Sequence, residues 1–212
     1  MLSQLSKADL TLEREDNVAG FLCVHLNVDH TDGAIELTQV GLIDRIVFAM
    51  GLTDDTEVKT PVDYGALQKD EDGENCDTSF NYPSIFGMLL YLQKNTRPDI
   101  TFAVSQCARY TFCPKLSHEK ALKRMGRDLK GTNTKGLIMK PHTDLNIDCY
   151  VDSDFAALWG YAYSQDPTCV RSRTGYTIMI GGCLVLLSSK LETEIELSTM
   201  KTEYIALSTS LK

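Results

Sequence analysis

The stretch YVDSDFAALWG, residues 150–160, ends an apolar run with two aspartates two positions apart, Asp152 and Asp154. Taking a carboxylate out of water costs roughly several kcal/mol unless a partner compensates it. Either this strand end is solvated, or its carboxylates are held near a cation. Hard cations such as magnesium take oxygen ligands. Two such ions about 3.5–4 Å apart can activate a water and stabilise the leaving oxygen of a phosphodiester. Further along, Glu203 sits in the first turns of a helical stretch, STMKTEYIALSTSL. Asp152 and Glu203 are therefore the candidate catalytic and metal-ligating pair, with Asp154 a further candidate metal ligand on the strand face of Asp152. By pattern alone D-x-D and a helical glutamate are common, and surface carboxylates are their usual meaning.

Other chemistries fail on the residues. An aspartate-nucleophile phosphatase needs Thr or Val where Ala156 stands, and a helical crossover where a hairpin follows. An aspartic protease needs a glycine after Ser153. The four histidines are scattered and the seven cysteines hold no C-x-x-C pair, which excludes a zinc cluster and favours reduced thiols. In QKDEDGENCD the glycine falls at the wrong place for a calcium loop, so a solvated linker is expected.

A second kind of chemistry comes from charge. The net charge of -8, taken whole, argues against nucleic-acid binding. Between Lys115 and Lys135, however, seven basic residues face only Glu119 and Asp128; that window carries +5 and the remainder -13. Lys120, Lys123, Arg124, Arg127 and Lys130 recur at three or four residues and share one helix face. A solvated helix surface is the commoner meaning of such a stripe, and phosphate tracking is the alternative. No apolar run is long enough to span a bilayer, and the N-terminus lacks a signal pattern. An intracellular protein, cytoplasmic or nuclear and not secreted, is expected.

The elements that must position these residues follow from periodicity. Residues 20–39 alternate as a hairpin around Asp32-Gly33. VGLIDRIVFAMGL has helical spacing and ends at Gly51. SIFGMLLYLQKN is a helix stopped at Arg97-Pro98, Asp99 can cap ITFAVSQCARYT, and Ser117 can cap SHEKALKRMGRDLKG. NIDCYVDSD is a strand, and after an irregular loop TGYTIMIGG and CLVLLSSK form a hairpin around Gly181-Gly182. The last helix, opened by Ser198 or Thr199, turns Met200, Tyr204 or Ile205, and Leu207/Leu211 inward on this reading. The fold class is α+β.

The order of these pieces resembles the Pol polyprotein of copia-type retrotransposons, from the end of the reverse transcriptase into ribonuclease H. The matching blocks are FLCVHLN, IELTQVGLIDRI, KTPV, YPSIFGMLLYLQKNTRPDITFAVS, HEKALKRMGRDLKGT with GLIMKP, CYVDSDFA, RSRTGYTIMIGG, LLSSK and LSTMKTEYIALS. The resemblance implies that residues 1–62 are the end of the palm and the start of the thumb. It makes 63–146 a helical thumb and connection, and 147–212 a truncated ribonuclease H-like domain of three antiparallel strands and a helix. It implies Asp152 and Glu203 as catalytic metal ligands, Mg2+ (or Mn2+) as cofactor, and an RNA–DNA hybrid or template–primer duplex as partner. The rest of the Pol polyprotein is a further implied partner, and no membrane is. The polymerase Y-x-D-D strand and the later ribonuclease H aspartate are expected outside this sequence, so the chain alone is expected to be inactive. The alternative is a non-catalytic nucleic-acid-binding remnant using the basic helix 117–130. Where the family usually has Gly, Arg, Gly, Tyr and Trp, this chain has Cys23, Pro83, Ala157, Asp128 and Leu187. Asp128 is expected beside the basic stripe.

Overall fold

The computed structural model describes residues 23–63, 67–76, 80–156 and 170–212. The start of the first expected strand, Ala157 and the irregular loop after it lie outside the described residues. Strands β1 (His25–Val28) and β2 (Ile35–Thr38) pair antiparallel, Val28 opposite Ile35. Their connection is wider than a two-residue turn. Asp29 N–H donates to Ala34 O at 2.8 Å, and Gly33 takes the left-handed conformation at φ +74°. A short strand β3 (Leu137–Met139), about a hundred residues further on, adds to β2 and completes a sheet in the order β1-β2-β3.

Among the described residues four helices form the core beside it: α1 (Val40–Ala49), α2 (Tyr82–Asn95), α3 (Thr101–Ala108) and α4 (Leu116–Gly131). Leu42, Ile43 and Ile46 of α1 recur at helical spacing and pack with Ile85, Leu89 and Leu92 of α2 and Leu122, Met125 and Leu129 of α4. Gly126 lets α4 approach closely: a Cβ there would lie 2.6 Å from Leu52 Cδ1 and 2.9 Å from Met50 Sδ. Asn81 caps α2 through Oδ1, which accepts from Ser84 N–H at 3.0 Å, and Pro83 sits harmlessly in the first turn.

Two expected caps are employed otherwise. Asp99 does not cap α3, which follows a 3-10 turn (Pro98–Ile100); its carboxylate is bound by Arg97. Ser117 donates to Asp70 at 2.6 Å and does not cap α4. The N-cap position is Lys115, whose N–H donates to His118 Nδ1 at 2.9 Å. The acidic stretch expected as a solvated linker is strapped to this helix start. Leu116 N–H donates to Glu74 O at 2.9 Å, and His118 Nε2 meets Gln68 O at 2.9 Å.

The second sheet has the order β4-β5-β6: β4 (Ile147–Asp154), β5 (Arg173–Ile180) and β6 (Cys183–Leu191), all antiparallel. The β5–β6 turn is Gly181-Gly182, both at positive φ, as the sequence indicates. Helix α5 (Thr199–Ser210) packs on β4 and β5, and Ser198 caps it by accepting from Lys201 N–H at 3.3 Å. Its orientation reverses the expectation. Thr202, Ala206 and Ser210 are buried and Ile205, the alternative to Tyr204, is half-buried, whereas Met200, Tyr204, Leu207 and Leu211 are exposed. Small side chains allow the helix axis to approach the sheet, and the larger stripe is left outside. All six cysteines among the described residues are free, and no described helix is long and apolar enough to cross a membrane.

Candidate metal and nucleic-acid site

Asp152 lies on β4 opposite Gly175 of β5, which in turn faces Ser189 of β6. Gly175 leaves the space beside it open: a Cβ there would meet nothing closer than 3.9 Å. Asp154 lies opposite Arg173. The Arg173 guanidinium is buried, sits over the Phe102 ring at 5.2 Å, and donates to Ser105 of α3 at 2.9 Å and to Ser189 at 3.2 Å. Burial lowers the Arg173 pKa, Arg109 adds to that, and the Asp154 carboxylate works against it. The face carrying Asp152 and Asp154 thus looks toward the helical body at its Arg173 end.

Helix α5 covers the other face. Ser172, Thr174 and Thr202 are buried, Thr202 Oγ1 lies 3.4 Å from Ser172 Oγ, and Thr174 pairs with Ser153 of β4. Because successive side chains alternate across a strand, Asp152 and Asp154 point away from α5. Glu203 is exposed beside the buried stripe of α5. Neither Asp152 nor Glu203 has a hydrogen bond or ion pair among the described residues, and there no three His, Cys, Asp or Glu side chains form a metal-holding group. The structure therefore puts Asp152 and Glu203 on packed elements without joining them. Magnesium requires converging oxygen ligands in near-octahedral geometry, and these two exposed carboxylates do not by themselves supply it.

The basic face of α4 is largely occupied from within. Lys123 pairs with the buried Glu119 at 2.7 Å. Arg124 pairs with Asp63 at 3.7 Å and donates to Thr60 at 2.9 Å. Arg127 pairs with Asp55 at 3.2 Å, and Lys130 donates to the carbonyls of Thr53 and Asp55 at 2.6 and 2.8 Å. The stripe holds residues 53–63 against the helix. Lys120 is exposed and has no ion pair or hydrogen bond among the described residues.

Asp128 is not beside this stripe but turned inward. It is 4% exposed, its carboxylate has no hydrogen bond among the described residues, and burial raises its pKa. The nearby buried Arg97 is the principal polar tie that the motif TRPDI conceals. It binds Asp99 through Nε and Nη2, and Thr132 O and Oγ1 through Nη1 and Nη2 at 2.9 and 2.8 Å. An arginine before a proline at a helix end was the available signal.

Among the described residues, the architecture is an α+β protein with two three-stranded antiparallel sheets and a helical core. No profile of a known protein family and no solved structure matches the chain. Its sequence relatives are more informative. An uncharacterized mitochondrial protein of Arabidopsis thaliana is 31% identical over 171 residues, which are 81% of this chain and 67% of that protein. The retrovirus-related Pol polyprotein from transposon RE1 of the same plant is 33% identical over 123 residues, 58% of this chain but 8% of the polyprotein. A secreted RxLR effector protein of Plasmopara viticola is 34% identical over 127 residues, 60% of this chain and 84% of that protein. The chain belongs with the retrotransposon Pol polyproteins and their transposon-derived relatives, and it matches a small part of the full-length polyproteins.

Proposed function

We propose that the chain is the stretch of a Pol polyprotein in which the end of a reverse transcriptase passes into the opening layer of a ribonuclease H, and that it does not cleave by itself. The observation supporting this reading is the order of β4, β5, β6 and α5, with Asp152 on the first strand and Glu203 on the helix. That is the order the resemblance implies for a ribonuclease H. Magnesium or manganese, when bound, would polarise the phosphodiester and its attacking water. Asp152 and Glu203 are the residues this chain would contribute, and further converging carboxylates are required. The partner is an RNA–DNA hybrid or template–primer duplex. In the alternative reading, a non-catalytic remnant grips nucleic acid through α4, and Lys120 is its available phosphate ligand.

The test is incubation of the chain with an end-labelled RNA–DNA hybrid in Mg2+ and in Mn2+. Intact RNA is expected. Metal-dependent cleavage that disappears in Asp152→Asn would overturn the inactivity of the isolated chain. In the same samples, hybrid retention that falls several-fold in Lys120→Glu would favour the binding remnant.

A further inference from the structure

A groove of about 600 Å³ opens where the connection between α3 and α4 meets the start of β5 and the end of β6, and Phe112, Lys115, Arg171 and Leu191 line it. Phe112 is fully exposed, so its ring is open to a partner. Lys115 donates from Nζ to the Asn75 amide oxygen at 3.1 Å, a neutral group, and has no ion pair among the described residues. Arg171 is half-buried, and its guanidinium has no hydrogen bond or ion pair among the described residues. Arg109 brings a third charge, donating to Leu67 O at 3.2 Å and lying over the Tyr110 ring at 5.1 Å. The two lining carboxylates are already engaged: Asp70 accepts from Ser117 at 2.6 Å, and Glu71 pairs with Lys69. The positive field reaches the buried imidazole behind the groove. Burial lowers the His118 pKa, the Gln68 carbonyl and Asp70 work against that, and Arg109 and Lys115 add to it.

We propose that this groove binds single-stranded nucleic acid, with a base stacked on Phe112 and the flanking phosphates at Lys115 and Arg171. An apolar partner would cover the ring but strip water from cations that it cannot pair. A simple anion would answer the cations and leave the ring in water. Bases joined by phosphates answer both, and aromatic rings beside cations are how single-strand platforms are built. A duplex keeps its base faces stacked inside and offers the ring nothing. The contact is separate from the stripe of α4, where Arg124, Arg127 and Lys130 are held by residues 53–63. It needs neither a metal nor Asp152, so a chain that does not cleave can hold a strand there, and its failure would leave the ribonuclease reading untouched.

Fluorescence anisotropy with a dye-labelled oligothymidylate of about twelve residues, within the roughly 4–16 that one such platform spans, tests it. Saturable binding is expected, weakened about fivefold or more in Phe112→Ala and several-fold in Arg171→Gln, and retained in Phe112→Trp. Because Phe112 is fully exposed, both of its variants should melt with the parent. Lys120→Gln, on the stripe of α4, should bind as the parent does. Polyglutamate and inorganic polyphosphate should displace the oligomer less well than unlabelled oligothymidylate. In the complex the exposed Cys113, which also lines the groove, should be protected from alkylation, while the exposed Cys149 of β4 should not. No saturable binding, unchanged affinity in Phe112→Ala or Arg171→Gln, an equal loss in Lys120→Gln, equal displacement by either polyanion, or an unprotected Cys113 would each overturn the site.

Discussion

Replacing Asp128 by asparagine should stabilise the protein, although it removes a charge next to an arginine. The side chain is 4% exposed and its carboxylate accepts no hydrogen bond among the described residues. A buried polar group left unpaired costs about 1–3 kcal/mol, and more when charged. The Arg97 charge offsets part of that cost, while Asp99 adds to it. Water reaches part of the carboxylate and screens it, so a net gain of up to about 1 kcal/mol at pH 8 follows for the uncharged isostere, which for a chain of this size is a rise in Tm of up to about 4 °C. The pH dependence fixes the cause. Burial raises the folded-state pKa above the ordinary 3.8. The folded state therefore binds the proton more tightly than the unfolded chain, and protonation stabilises it fully below 3.8. That stabilisation is lost as pH rises through the raised value. Asparagine does not titrate, so the advantage of the variant should be largest at pH 8 and shrink towards pH 4. Thermal melts of the two proteins across that range decide it. A variant that melts lower at pH 8, or a difference of constant size at every pH, would refute the reasoning.

Arg97→Lys should cost about 1–3 kcal/mol, read from the urea midpoint, because a single ammonium cannot replace a planar fork that binds Asp99 and both oxygens of Thr132. An unchanged midpoint would remove Arg97 from that role. His118 is buried, stacks on Tyr110 at 3.9 Å, and accepts at Nδ1 while Nε2 faces a carbonyl, so it is held neutral. Burial lowers its pKa from the ordinary 6.5. The unfolded chain then binds more protons below that value, and stability should be level above about pH 6.5 and fall as pH decreases beneath it. Melts between pH 7.5 and 5 should show that slope in the parent and a weaker one in His118→Gln.

Elements set by local pattern were legible in the sequence. The spacing of Leu42, Ile43, Ile46 and Val47 marked α1, and Gly181-Gly182 marked the β5–β6 turn. What depends on distant partners was not. Strand β3 has three residues, and its only cue is β2, far back in the chain. Asp99 and Ser117 read as caps, but Arg97 and Asp70 compete for them. The last helix was turned inside out because its large apolar stripe outweighs Thr202, Ala206 and Ser210 in any periodicity argument. Asp152 and Glu203 stood out through the order of motifs, whereas the face each side chain takes depends on strand alternation and helix docking.

The clamp between α4 and residues 53–63 changes what ionic strength acts upon. Surface ion pairs weaken as salt screens them, and Arg124, Arg127 and Lys130 hold their own chain. Raising salt should therefore loosen this flap and expose Met50 and Leu52 to proteases before it displaces any polyanion. A weakening of nucleic-acid retention in salt would then report partial opening of the protein as much as counterion release from phosphates.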